Sequence, residues 1–251
     1  MKLSCLRSSC ADPINLVISL TTFNYLLKYI STTLFHYVSP RSVWASGRSG
    51  GFFSAVVQHC ICPRLTTMTR FYAGIGARNT PRNIQDIMTR LATKLEKDRW
   101  ILRSGAAEGA DSAFERGVMN PQANAEIYLP WYKFPTRAKD PRVLPRIAGS
   151  QPQFINYQTL PTALAARQTV PVYHSNSAGK PDWWFDLMAR NAMQILGRDL
   201  KTPSTVVIAY TPGGQVVGGT GQALRMAQKL QIPIRNLGNP QTLASVQDYL
   251  R

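Results

Sequence analysis

From Met68 onward the chain alternates between two hydrophobic rhythms. Arg70 to Gly74 is a short run with strand character. Thr80 and Pro81 then open a helix, with Thr as the N-cap and Pro in the first turn. Ile84, Ile87, Met88, Leu91 and Leu95 follow at helical spacing, while Arg82, Arg90, Lys94 and Lys97 fall off that stripe. Trp100 to Leu102 predicts a second strand, Ala110 to Val118 a second helix, and Ala125 to Leu129 a third strand. Beyond Lys180, Pro181 or Asp182 opens a helix that runs to Leu196 and stops at Gly197. Thr205 to Tyr210 is an apolar run of the kind found in buried parallel strands. A helix from about Thr220 to Leu230, a strand over Ile232 to Leu237 and a helix over Thr242 to Leu250 close the pattern. No internal repeat is visible. Strands alternating with helices predict an α/β fold of three layers: an open, mostly parallel sheet with helices on both faces.

The stretch from about 130 to 180 breaks the rhythm. It is rich in proline, glutamine and basic residues, with Lys133, Arg137, Lys139, Arg142 and Arg146 close together. It reads as an insertion decorating the sheet. Two roles fit: a solvated loop, or a basic flap whose Trp131, Tyr132 and Phe134 stack on a base.

Composition divides the chain. All four cysteines (Cys5, Cys10, Cys60 and Cys62) and two of the three histidines, His36 and His59, precede Met68. Residues 1–67 show no core pattern. Their longest apolar stretch, Ile14 to Leu27, is interrupted by Asn24 and diluted by Ser19, Thr21 and Thr22, too polar for a membrane span. Lys2 and Arg7 resemble the start of a signal peptide, but no small-residue cleavage site follows. The segment reads as an extension outside the functional fold, read ahead of a start at Met68; the competing reading is a membrane or targeting segment. Residues 68–251 then form one domain. It carries twenty-three basic and twelve acidic residues, a net charge of +11 that favours a polyanionic partner.

Two glycine-rich stretches carry the candidate chemistry. One runs from Arg103 through Ser104, Gly105, Glu108 and Gly109 to Asp111. The other runs from Pro212 through Gly213, Gly214, Gly218, Gly219 and Thr220 to Gly221. Each follows a strand and leads into a helix. That junction puts backbone N–H groups at a helix N-terminus with little bulk in front of them, an anion site. Two such loops at strand ends of one sheet point to a nucleotide or nucleic acid.

Other chemistries fail on their residues. No Gly-x-x-x-x-Gly-Lys-Ser/Thr sequence exists for a Walker-type site. Gly74-Ile75-Gly76 lacks the third glycine of a dinucleotide fingerprint at Asn79. After Met68 there is no cysteine and one histidine, His174, so no metal cluster of His or Cys and no Cys–His pair is expected. No cofactor is expected either.

From Met68 the chain resembles the superfamily that joins the DNA-processing protein A (DprA) and Lonely Guy (LOG) families of Rossmann-like proteins. Gly76-Ala77-Arg78 is similar to the Gly-x-Arg that opens the DprA core. Ser104 to Asp111 is similar to its Ser-Gly-x-Ala-x-Gly-x-Asp loop, with the alanine one place along at Ala107. Arg190-Asn191 resembles its Arg-Asn pair, and Gly218-Gly219-Thr220-Gly221 its second glycine loop. The resemblance covers most of 70–237 apart from the insertion. It implies a Rossmann-like domain that binds a nucleotide or single-stranded nucleic acid, works in the cytoplasm, pairs as a homo-oligomer and needs no membrane. Family habit adds a phage or mobile element as the setting.

The departures bear on catalysis. LOG enzymes carry Pro-Gly-Gly-x-Gly-Thr-x-x-Glu, and that glutamate serves in nucleotide cleavage. Here Val216 stands where the next glycine should, and no glutamate follows Gly221 within the helix. Glu108 and Asp111 are the carboxylates left near the site, with Glu108 the acid/base candidate if the protein hydrolyses an N-glycosidic bond. The expected roles follow from residue type. Gly74, Gly76, Gly105, Gly109, Gly213, Gly214, Gly218, Gly219 and Gly221 let backbone approach the ligand. Ser104 and Thr220 donate hydroxyls to phosphate, and Arg78 and Arg190 neutralise it. Asp111 either binds the ligand or serves the structure, capping its own helix or orienting an arginine. Asn191 either binds ligand or ties the two loops together. The remaining functional reading is a sensor of a nucleotide-derived signal.

Overall fold

The computed structural model describes residues 69–134, 151 and 153–251. The extension 1–67 and the basic residues Arg137, Lys139, Arg142 and Arg146 lie outside the described residues. Six strands form one sheet: β1 (Arg70–Gly76), β2 (Trp100–Ser104), β3 (Ala125–Leu129), β4 (Phe154–Asn156), β5 (Val206–Tyr210) and β6 (Ile234–Asn236). Their order is β4-β3-β2-β1-β5-β6, and every pairing is parallel. The sheet expected to be mostly parallel is wholly so among the described residues.

Alternation along β1 assigns the layers. Ala73 and Ile75 join a buried cluster with Ala189, Ala192, Met193 and Leu224. That cluster comes from α4 (Ala163–Tyr173), α5 (Asp182–Leu196) and α6 (Gly218–Lys229). Gly74 points the other way, where a Cβ would sit 2.7 Å from the Phe114 ring. That second face carries α1 (Arg82–Lys97) and α2 (Ala110–Gly117). A short α3 (Pro121–Asn124) precedes β3, and α7 (Pro240–Tyr249) packs beside β6. The expected three-layer arrangement is therefore present.

Two local expectations are corrected. Thr80 does not cap α1: its hydroxyl donates to the Ala77 carbonyl at 2.6 Å, closing the turn after β1, and Pro81 occupies the cap position. The stretch 130–180 is more than a loop. It contributes edge strand β4, paired with β3, and helix α4, whose Ala166 and Val170 are fully buried.

The strand order places a switch point. From β1 the chain steps outward through β2, β3 and β4, then returns to the other side of β1 as β5 and β6. The loops leaving β1 and β5 therefore diverge, opening a crevice at the carboxyl ends of the strands. The Ala77 N–H donates to the Tyr210 carbonyl at 2.9 Å and pins the floor of that crevice.

Candidate functional site

A cleft of about 410 Å³ occupies the crevice. Its walls come from the turn after β1, the start of α2, the middle of α5 and the start of α6. Eight sequence-predicted residues line it: Gly76, Arg78, Asp111, Arg190, Asn191, Gly218, Gly219 and Thr220. The structure thus gathers segments more than a hundred residues apart, because all four leave or face the same end of the sheet.

The two glycine loops, alike in sequence, differ in structure. The first is closed by the protein's own carboxylates. Glu115 accepts the Ser104 hydroxyl at 2.6 Å and the Ala106 N–H at 3.1 Å. Asp111 accepts the Ala107 N–H at 3.2 Å. Ser104 is fully buried, so its expected gift to phosphate goes to Glu115 instead. Gly74 supports packing against Phe114 and Leu102 rather than a ligand. Gly109 turns the chain beneath the Ala77 and Arg78 carbonyls. At Gly105 a Cβ would lie 2.0 Å from Arg190 Nη1, so the missing side chain admits a guanidinium rather than a phosphate.

The second loop is open. Helix α6 begins after Val217, which has no side chain able to cap it. The first intrahelical bond runs from the Gly221 N–H to the Val217 carbonyl. The N–H groups of Gly218, Gly219 and Thr220 precede it and have no acceptor within the helix. Gly218 adopts φ +65°, a left-handed conformation that suits glycine, and nothing lies within 4 Å of where its Cβ would be. Gly221 belongs to packing, its Cβ position blocked by Val216. Gly213 and Gly214 complete a 3-10 turn (Pro212–Gly214) whose Pro212 lines the cleft while the two glycines do not.

Helix α5 braces both loops through adjacent residues. Arg190 Nη1 lies 3.8 Å from Asp111 Oδ2, with both side chains buried. Asn191 donates through Nδ2 to the Gly219 carbonyl at 3.2 Å and to Gln222 Oε1 at 2.9 Å. Of the two roles open to each residue, the geometry displays the orienting one for Asp111 and the tying one for Asn191. Arg190 therefore faces Asp111 at ion-pair distance, and its Nε donates to the Leu187 carbonyl at 3.4 Å. Arg78 instead stands exposed at the lip of the cleft and has no ion pair among the described residues.

Sequence reasoning named Trp131, Phe134 and Glu108 but missed Gln194 and Trp183. Gln194 lines the cleft, and its Nε2 is buried without a hydrogen-bond partner among the described residues. A second pocket, about 260 Å³, adjoins the cleft and shares Arg78, Ala107 and Leu187 with it. Its other walls are Glu108, Trp131, Phe134 and Trp183. The signal was available: Trp183, Leu187, Arg190, Asn191 and Gln194 fall on one stripe of a single helix. The second turn of that helix is anchored by Asp186, which accepts the Tyr157 hydroxyl and pairs with Arg167 Nη1 at 2.8 Å. Burial first, then the Asp186 carboxylate, push the Tyr157 hydroxyl above its usual pKa of 10.0, so it remains a donor.

Among the described residues no three His, Cys, Asp or Glu side chains gather to hold a metal ion, and no helix is long and apolar enough to cross a membrane. No family model matches the chain, and no curated protein matches it. Among solved structures it is similar to DNA processing protein A from Helicobacter pylori, described for its single-stranded DNA binding mode. The TM-score is 0.46 at 19% identity, over 72% of this chain and 78% of that one.

Proposed function

We propose that this protein binds single-stranded nucleic acid, taking one nucleotide unit into the cleft with its phosphate at the start of α6. The observation that carries the proposal is the open second loop. Gly218, Gly219 and Thr220, which open α6 without a side-chain cap, line the cleft at the switch point together with the exposed Arg78. The macrodipole of α6 adds partial positive charge at the same place. Gln194 offers a buried amide donor to the same space. The net charge of +11 on residues 68–251 exceeds what one free nucleotide requires and favours a longer polyanion.

The cleavage reading has less support. It rests on Glu108 alone, since helix α6 carries no carboxylate and Asp111 is turned to Arg190 and the Ala107 N–H. A free nucleotide held as a signal uses the same contacts and differs only in the number of phosphates engaged.

A labelled single-stranded oligonucleotide, titrated at low salt against the protein and its Arg78→Ala variant, tests the proposal. Loss of the lip guanidinium is expected to weaken binding about tenfold, or roughly 1.4 kcal/mol. An unchanged affinity would place the nucleic acid elsewhere, and no binding by the parent protein would remove the proposal.

A further inference from the structure

The pocket beside the cleft has a chemistry of its own. Three aromatic rings, from Trp131, Phe134 and Trp183, line about 260 Å³ together with Glu108 and Arg78. Trp131 and Phe134 meet edge to face at 5.2 Å, which fixes their rings relative to one another. Phe134 is buried, whereas Trp183 leaves 55% of its surface exposed at the first turn of α5. An exposed tryptophan beside a ring-lined pocket costs apolar surface in water, and a flat aromatic ligand would recover it.

Glu108 supplies the polar element. It is the carboxylate of this pocket, and its Oε1 is buried without a hydrogen-bond partner among the described residues. A buried carboxylate oxygen is acceptor-only and costs free energy until an N–H reaches it. The bases differ in what they offer it. Guanine presents two adjacent donors, N1–H and the exocyclic amino group, matching the two oxygens of a carboxylate. Adenine and cytosine present one amino group beside a ring-nitrogen acceptor, which a carboxylate repels. Thymine and uracil present one N–H between two carbonyl oxygens, which repel it more. A site built to pair donors discriminates strongly against analogues that leave its polar atom unpaired.

We propose that this pocket is a guanine-selective base subsite, with the base packed against Trp131, Phe134 and Trp183 and its N1–H and amino group donated to Glu108. The inference rests on the nucleotide reading of the adjoining cleft. The shared wall at Arg78 joins the two compartments, so a phosphate at the start of α6 and a base at Glu108 belong to one ligand. In that arrangement Glu108 meets the base edge and takes no part in bond cleavage.

The test compares a fluorescent dodecamer of thymidylate with the same oligomer carrying one central guanine, and with one carrying a central adenine. The guanine oligomer is expected to bind at least tenfold more tightly than the other two. Glu108→Gln, which keeps shape but turns one acceptor into a donor, is expected to reduce that ratio below about threefold. Trp183→Ala is expected to weaken the guanine oligomer. Because the Glu108 readout is a ratio, partial loss of folded protein does not imitate it. Equal binding of the three oligomers would overturn the base subsite while leaving the cleft reading intact, as would a guanine preference that survives Glu108→Gln. Absence of binding by all three would overturn both.

Discussion

Replacing Asp111 by asparagine removes one charge from a buried pair and leaves the shape of the site unchanged. The amide oxygen of the new side chain can still accept the Ala107 N–H, so the change removes the charge that faces Arg190 while keeping that hydrogen bond. At 3.8 Å the two charges attract by roughly 4 kcal/mol at an effective dielectric of about 20. Desolvation offsets much of that in the native protein, but the variant leaves the Arg190 charge buried opposite a neutral group. The expected cost is about 3 kcal/mol. For a domain of this size that lowers Tm by roughly 6–12 °C. Thermal unfolding followed by circular dichroism, run on Asp111→Asn, Arg190→Met and the double variant, completes the cycle. The double variant is expected to be more stable than the sum of the single losses implies, by at least about 1.5 kcal/mol. Additivity within about 0.5 kcal/mol would refute the brace. If Arg190 were a phosphate ligand rather than the partner of Asp111, Arg190→Met would cost affinity and little stability.

Three further outcomes follow from the same geometry. Purified protein is expected to release no free base from nucleoside monophosphates, since α6 carries no carboxylate and Glu108 is assigned to the base edge; chromatographic detection of base that disappears in Glu108→Gln would establish the hydrolase instead. His174 is held below its usual 6.5, first by burial and then by Arg225 and Lys180. The unfolded chain therefore binds a proton that the fold resists, and stability is expected to fall as pH drops through 6.5. His174→Gln should flatten that slope between about pH 7 and pH 5.5, and an unchanged slope would contradict the assignment. A protein beginning at Met68 is expected to melt in one cooperative transition and to keep its oligonucleotide affinity; insolubility of that protein beside a soluble full chain would place residues 1–67 in the fold.

Most of the sheet was legible because its central strands are apolar runs bounded by turns. Ala125–Leu129 was read to the residue, and β1, β2 and β5 within two residues at each end. The stretch 130–180 hid β4 and α4 for a physical reason. An edge strand of three residues, Phe154–Asn156, gives no periodicity, and a helix containing Pro171 contradicts local propensity. Tertiary packing of Ala166 and Val170 outweighs that propensity. The glycine loops were found by composition, but their inequality was not. Whether a loop offers its N–H groups depends on which carboxylates the fold brings to it, and Glu115 reaches back to Ala106 from the second turn of α2. Val217 was the readable sign that the second loop stays open, since a valine cannot cap a helix. Likewise Gln194 and Trp183 share a helical stripe with Arg190, although neither belongs to a glycine loop.

The salt dependence of oligonucleotide affinity tests the central claim most directly. A chain that engages several phosphates releases their counterions, and log K falls with log salt at about −0.7 per phosphate on a single strand. With the α6 N-terminus, Arg78 and further basic residues engaged, a slope of roughly −2 or steeper is expected for a labelled dodecamer. A slope near zero, or no binding at low salt, would contradict the claim that this cleft holds single-stranded nucleic acid.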